Sequence, residues 1–466
     1  MKKHLPMRTL SACVLFASLA ACSLAPDYQR PEAPIPVQWP QAVKAEGRDA
    51  FATAWRSYFT DPRLQSLIAA ALDHNRDLRV AIARVEEARG LAGMVGADRW
   101  PNLSIGGGRT ASLTPAGVSQ SGKELEISYY SGGINLLSFE LDFWGRTKNL
   151  SAAALATYLA SDAARRAFRL SLIGDVAAAY FSERELEERL ALARETMRSR
   201  LETRKFINLR RQVGLAGDLD YLQADGAYET ARADAASLER QVAAAKTALQ
   251  LLVGTEIRDL PATRPLVEAG VIADLNPGLP SDVLLRRPDV LAAEQSLIAA
   301  NANIGAVRAA FFPRLSLIGM LGSASPALSG LFKAGTGAWS FAPSLSMPLF
   351  DGGRNSANLD IAEARKVIAV AQYEKTIQTA FKEVADLLNA RATLAEQLQA
   401  QERLQVSQEQ RLQLTEARYK AGIANHLELL EAQRDAFSAQ QATLQVRRLQ
   451  LATAALLYKA LGGGDE

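Results

Sequence analysis

Hydrophobic and polar positions alternate over two stretches of this chain and fall into long helical runs almost everywhere else. Within residues 101–143, "GGINLLSFELDF" sets Leu137, Phe139, Leu141 and Phe143 against Ser138, Glu140 and Asp142. Within 313–350, "WSFAPSLSMPLF" sets Phe341, Leu345, Met347 and Leu349 against Ser340, Ser344, Ser346 and Pro348. Such alternation over about ten positions predicts strands with one apolar and one wet face. Each stretch therefore predicts a hairpin, turning near 114–123 and 326–336. Lipid would suit the apolar face, while a soluble sheet edge suits Pro343 and Pro348 better.

The remaining texture is helical. No proline occurs from 116 to 260 or from 349 to the end, and Gly422 is the one glycine between Asn355 and Leu461. These stretches are rich in Ala, Leu, Glu, Gln and Arg, all strong helix formers. Helices are predicted over roughly 62–98, 147–213, 218–253, 281–310, 353–420 and 425–461. The second and fifth would each run roughly 100 Å at 1.5 Å per residue. Helices of that length need a partner along their whole face, and alanine-rich runs such as "SAAALATYLASDAARRA" allow close approach.

The order helix, hairpin, long helix, turn, helix is written twice. "RWPNLS" at 99–104 echoes "FFPRLS" at 311–316, and "DFWGR" at 142–146 echoes "LFDGGR" at 349–354. Gly214 and Gly422, in the turns between long helices, lie 208 positions apart. A period of this size means a duplicated domain and not a solenoid. The organisation predicted is a leader over 1–21, an extended segment over 22–60, a first repeat over 61–260, a linker over 261–280 and a second repeat over 281–466.

The leader changes the compartment. Lys2, Lys3 and Arg8 precede an apolar run from Leu10 to Leu19, which is a secretory signal too short to span a bilayer. It ends in Leu19-Ala20-Ala21-Cys22, which looks like a bacterial lipobox, so Cys22 is expected to become the acylated first residue; Ser23 after it fits export to the outer membrane. Cys13 is the one other cysteine, so no disulfide or cysteine metal site is expected in the mature chain. Pro26, Pro31, Pro34, Pro36 and Pro40 predict that the next stretch is extended and draped over something else. With 53 basic and 50 acidic residues, the charge is nearly balanced, and no basic tract interleaved with aromatics suggests nucleic acid.

Two hairpins give four strands, which cannot close on themselves. An open edge in lipid leaves backbone groups unsatisfied at several kcal/mol each. Three copies would give twelve strands, an even number within the range of outer-membrane barrels. Trp100, Phe143 and Trp144 sit where the first hairpin meets its helices, and Phe311, Phe312 and Phe350 sit at the same junctions of the second. Aromatic girdles occupy such boundaries in membrane barrels, although core packing would also account for any one of these residues.

From Cys22 to the last helix, the chain resembles the TolC-like outer-membrane efflux lipoproteins of the OprM and NodT type. The resemblance is carried by "PDYQRP" (26–31), "LPSDVLLRRPDVLAAEQSLIAANANIGAVRAAFFPRLSL" (279–317), "WSFAPSLSMPLFDGGR" (339–354) and the two glycine turns. It implies a mainly α fold with a transmembrane β-barrel: a homotrimer forming a twelve-stranded outer-membrane barrel continued by a long helical periplasmic tunnel. It also implies a periplasmic adaptor and an inner-membrane pump, usually of the resistance-nodulation-division class, as partners. Carried over residue by residue, it puts Tyr419 on the family's gate tyrosine, Glu428 and Glu431 on the acids of its constriction rings, and Asp220 on the acid that partners the tyrosine. Ala424 stands where the family has a gate arginine, leaving Arg418 or Arg211 as nearby substitutes. Val213, Gly214, Leu215 and Ala421, Gly422, Ile423 match the turns that meet the adaptor's hairpin tips. The acids also suit a plainer role, because Asp218 and Asp220 open a helix and complement its dipole.

No catalytic constellation and no cofactor or metal site is expected. "GGGRT" at 106–110 lacks the ending of a phosphate-binding loop. His74 and His426 are each alone on a helical stretch and predict surface residues, and Glu187 and Glu188 predict a solvated helix face. Three functions fit: an efflux channel for drugs, dyes or metabolites, the same channel serving type I protein secretion or metal export, and a trimeric lipoprotein scaffold. The alternating hairpins speak against the scaffold, and the lack of a Met- or His-rich tract speaks against metal export.

Overall fold

A computed structural model describes residues 23–40, 47–256, 259–271 and 275–464; the leader and Cys22 lie outside the described residues. The long helices are α1 (Pro62–His74), α2 (Arg76–Ala97), α3 (Arg146–Gln212), α4 (Asp218–Val253), α5 (Pro288–Ala309), α6 (Arg354–Lys420) and α7 (His426–Ala460), with short ones at Trp55–Tyr58 and Pro280–Leu284. The long strands are β1 (Leu103–Thr114), β2 (Leu125–Leu141), β3 (Arg314–Ser325) and β4 (Gly337–Ser346). The chain folds as two compact units, one from the described parts of 1–32, 84–162 and 292–373, the other from 33–83, 163–291 and 374–466.

The first unit is built on one antiparallel sheet in the order β1-β2-β3-β4, so the hairpins of the two repeats join edge to edge through β2 and β3. Opposite residues share a face. One face carries Leu103 with Leu136, Ile105 with Ile134, Leu317 with Phe139 and Pro343, and Leu321 with Ile134 and Trp339. The other carries Ser104 with Asn135, Met320 with Asn135 and Ser340, and Ser316 with Ser344. The sequence alternation is out of phase in one place. A bulge between Leu136 and Phe139 takes up Leu137 and Ser138, which returns Phe139 and Leu141 to the apolar face. Pro343 is tolerated because β4 is an edge of this sheet. At the seam between repeats Gly133 lies opposite Gly322. A Cβ on either would come within 2.4 or 2.2 Å of a carbonyl on the facing strand, so the backbones can approach only without side chains.

The start of the predicted extended segment lies against α3 and α5, whereas its end is not extended, because Trp55–Tyr58 forms a short helix that buries Trp55 and Tyr58. Ser23 Oγ donates to Asn149 Oδ1 at 2.8 Å, Asn301 Nδ2 donates to the Pro26 carbonyl at 2.7 Å, and Tyr28 and Arg30 both donate to the buried Glu294. At the sheet–helix junctions, Glu140 receives two bonds from Arg146 and pairs with Arg314 at 2.7 Å. The six junction aromatics divide. Trp144 stacks on Phe312 at 4.6 Å and donates to the Pro313 carbonyl, Phe143 is half-buried, and Trp100, Phe311, Phe350 and Phe312 itself stand exposed.

The second unit packs helices against helices. The buried positions of α4 recur with heptad spacing (Ala224, Ala231, Ala235, Leu238, Val242, Leu249), and the middle of that seam meets Leu190 and Ala193 of α3. A seven-residue repeat of this kind keeps two helices in coiled-coil contact, and small alanines bring them close. Two predicted helices are each broken in two. Asn75, non-helical at φ −59° and ψ 129°, ends α1 and caps α2 by accepting from Leu78 N–H at 2.8 Å. The predicted 281–310 helix breaks before Pro288, because proline disfavours helical backbone in the residue ahead of it. There Arg287 is buried and donates to the Ala460 carbonyl at 2.6 Å, to both carboxylate oxygens of Asp289 and to Glu383 at 2.9 Å. Glu187 and Glu188 are not a solvated face either. Glu187 pairs with Arg184 and Lys246, and Glu188 accepts from Leu266 N–H at 2.7 Å, tying the linker to α3.

Candidate functional site at the helix–turn–helix tips

Both predicted turns end a long helix in the same way. At the end of α3, Gly214 has φ +77°, its N–H bonds to the Arg211 carbonyl at 3.1 Å, and Leu215 N–H bonds to the Arg210 carbonyl at 2.8 Å. At the end of α6, Gly422 has φ +74°, with Gly422 N–H to Tyr419 O at 3.0 Å and Ile423 N–H to Arg418 O at 2.9 Å. This paired closure satisfies the last carbonyls and requires left-handed backbone, which glycine adopts without strain. In such closures the residue after glycine commonly packs back on its own helix. Here Leu215 and Ile423 are instead 67% and 68% exposed, each presenting an apolar side chain outward.

The helices that leave the turns are capped differently. Asn425 Oδ1 accepts from Glu428 N–H at 2.9 Å at the start of α7. At the start of α4, Asp220 reaches back and accepts from Gly217 N–H at 3.2 Å. The predicted plainer role of Asp220, stabilising a helix start, is therefore realised. Among the described residues no hydrogen bond joins it to Tyr419. What the two share is His426: the Tyr419 ring lies 5.9 Å from the imidazole, and the Asp220 carboxylate acts on it electrostatically.

His426 corrects the sequence reading, because it is 8% exposed and not a surface residue. It belongs to the buried seam of α7, which runs His426, Leu429, Ala432, Ala436, Ala439. That spacing was visible in the sequence, and extending the seam by one step would have found it. Neither ring nitrogen has a hydrogen-bond partner. Burial holds its pKa below the ordinary histidine value, with Asp220 pulling the other way.

The other acids stand apart. Glu428 faces Arg418 at 3.9 Å, Asp218 takes Arg211 at 3.3 Å, and that guanidinium lies 4.2 Å from the Tyr221 ring centre. Both candidate substitute arginines are thus committed to acids beside the turns, and Ala424 is buried. Glu431 borders a cavity of about 310 Å³ shared with Arg200, Asp234, Arg434, Leu427 and Phe437. Burial lowers the pKa of Arg200 there, and its Nε is unpartnered. Sequence reasoning missed Arg200, which nothing in the local pattern distinguishes from its neighbours. Among the described residues no cluster of metal ligands occurs, and no helix is long and apolar enough to cross a membrane.

A duplicated chain with matched strands and matched tips corresponds to a known design. The family model for outer membrane efflux protein matches this chain twice, over residues 67–255 and 279–463. The chain belongs to the outer membrane efflux proteins. It is 44% identical over 462 residues to the probable efflux pump outer membrane protein TtgC of Pseudomonas putida, covering 98% of this chain and 95% of that one. Against outer membrane protein OprJ of Pseudomonas aeruginosa it is 43% identical over 465 residues, covering 98% and 96%. Among solved structures, the open state of the MtrE outer membrane channel of Neisseria gonorrhoeae superposes with a TM-score of 0.87 at 38% identity, covering 96% of this chain and 99% of that one. Outer membrane efflux proteins are transporters and not enzymes, and this one shares the largely helical fold of the outer-membrane channels.

Proposed function

We propose that three copies of this chain close a twelve-stranded barrel in the outer membrane, continued by a helical conduit through which small molecules such as drugs, dyes or metabolites leave the cell. The observation that carries this is the four-stranded sheet. It has one bare apolar face, one face of small polar residues, and two unpaired edges, β1 and β4. Joining β4 of one copy to β1 of the next removes every edge, the condition for a sheet in lipid. The small polar face would then line a wet lumen. Relatives named as toluene, solvent and antibiotic efflux proteins support small cargo. In this reading the leader over 1–21 is removed, Cys22 carries the lipid anchor, and the segment 22–60 leads into two repeats, 61–260 and 281–466, joined by the linker 261–280. The exposed aromatics Trp100, Phe311 and Phe350 fit a membrane boundary.

The two turns per chain, Val213-Gly214-Leu215 and Ala421-Gly422-Ile423, would meet a periplasmic adaptor that links the channel to an inner-membrane pump of the resistance-nodulation-division class. Tyr419, Asp220, Glu428 and Glu431 would form the gate at that end. Threefold symmetry turns each acid into a ring of like charges that attracts cations and resists closure. An adaptor then opens the gate by binding the open arrangement better than the closed one. Planar-bilayer recording tests both levels. The purified protein is expected to conduct, and a non-conducting trimer would refute the channel. If a Tyr419–Asp220 contact worth about 1 kcal/mol holds the closed gate, Tyr419→Phe with Asp220→Ala should raise the open fraction about fivefold. Unchanged conductance in that double variant would remove the gate assignment.

A further inference from the structure

His426 is the one buried titratable side chain at the tips whose polar atoms are wholly unpartnered among the described residues, and the gate reading gives it no role. It opens α7, directly after the second turn, and the carboxylate of Asp220, in the first turn of α4, acts on it electrostatically. The imidazole thus packs on its own hairpin at Tyr419 and lies within electrostatic reach of the other at Asp220. We infer that His426 is a proton-operated wedge, whose neutral form lets the two hairpins pack together and whose protonated form drives them apart.

The physical case rests on burial. A neutral imidazole without partners is tolerated as a compact, largely apolar ring against Tyr419 and the alanine seam of α7. An imidazolium in the same place carries two N–H donors and a full charge, buried and with no hydrogen-bonded acceptor among the described residues, a costly state. The surrounding charges do not supply that acceptor. From α6 the nearby groups are Arg418 and Lys420, both cations, with Arg418 directed to Glu428. From α3 comes Arg211, engaged with Asp218 and Tyr221. From α4 come Asp218 and Asp220; Asp220 favours the cation but is bonded to Gly217 N–H. On α7 itself Glu428 lies near Arg418, and Glu431 borders the cavity beside Arg200.

Because the packed state lowers the histidine's pKa, packing is fully favoured above the ordinary histidine range. It is progressively lost as pH falls through about 6.5 towards the lowered value. An acidified periplasm would therefore loosen the tips. The effect on permeation rests on the gate reading above, whereas the hairpin separation does not.

Spin labels at Leu215→Cys and Ile423→Cys, on the exposed turns of one chain, report that separation in the purified full-length protein. Between about pH 7.5 and 5.5, where carboxylates stay ionised, the label-to-label distance is expected to lengthen, with conductance rising severalfold. His426→Gln should hold both constant. His426→Phe, which keeps a ring against Tyr419, should do the same if glutamine disturbs packing. A distance that does not move with pH in the otherwise native protein overturns the wedge, as does one that moves equally in both His426 variants. The Tyr419→Phe, Asp220→Ala pair at about pH 7.5 decides the gate separately. A pH-dependent distance with no leak in that pair would leave the wedge standing and the gate fallen.

Discussion

Replacing Arg287 with leucine is expected to cost about 3 kcal/mol, the lower end for breaking a buried ion pair. The side chain is enclosed and holds three acceptors at once: the Ala460 carbonyl at the end of α7, Asp289 at the start of α5 and Glu383 on α6. Removing it strands the Ala460 carbonyl and leaves two carboxylates facing each other. Both acids keep about a third of their surface, so water can recover part of the loss. The damage should appear in thermal unfolding of the detergent-purified protein as a lower transition. Arg287→Leu combined with Glu383→Leu should recover part of it, because an apolar pair leaves one fewer charge without a partner. A single variant as stable as the starting protein would mean that the acceptors are satisfied by water throughout.

The second large effect distinguishes a membrane sheet from a soluble one. Leu321, in the middle of β3, is 67% exposed on the apolar face, and its neighbour Met320 points to the small polar face. If lipid covers the apolar face, Leu321→Arg should cost about 2–4 kcal/mol near the bilayer midplane. Met320→Arg should assemble normally and change ion selectivity, as a substitution in the lumen does. The readout is the yield of assembled, heat-resistant oligomer in outer-membrane fractions. Equal tolerance of the two arginines would rule out lipid on that face and with it the barrel.

Much of this architecture was legible because the signals are local. Helix-forming composition marked α3 and α6 to within a residue or so, and period-two alternation marked both hairpins. Gly214 and Gly422 marked the turns because left-handed backbone demands that residue type. What could not be read depends on contacts distant in sequence. Asn75 breaks a helix while its side chain also reaches the Leu252 carbonyl, across 177 positions. Glu188 looks like any exposed acid until Leu266 arrives with an unpaired N–H. The bulge at Leu137 and Ser138 exists because β2 must match β3, a strand from the other repeat. At the tips, resemblance supplied Tyr419 and Asp220, but the residue that adjoins both, His426, was hidden by the expectation that a lone histidine lies at the surface.

The seam between β2 and β3 bears on how the protein is made. The two strands of each hairpin are close in sequence and can find each other early, whereas Tyr130 and Ser325, partners across the seam, are 195 positions apart. Pairings so remote form slowly, because the entropy of closing so long a loop is lost before the contacts repay it. Until then each newly exported copy carries two ribbons with an apolar face and bare edges, the surfaces on which strands aggregate. The glycines that permit the seam also offer no side chain to nucleate it. If the sheet closes a barrel as proposed, the copy is most exposed to misassembly before its seam and edges are paired.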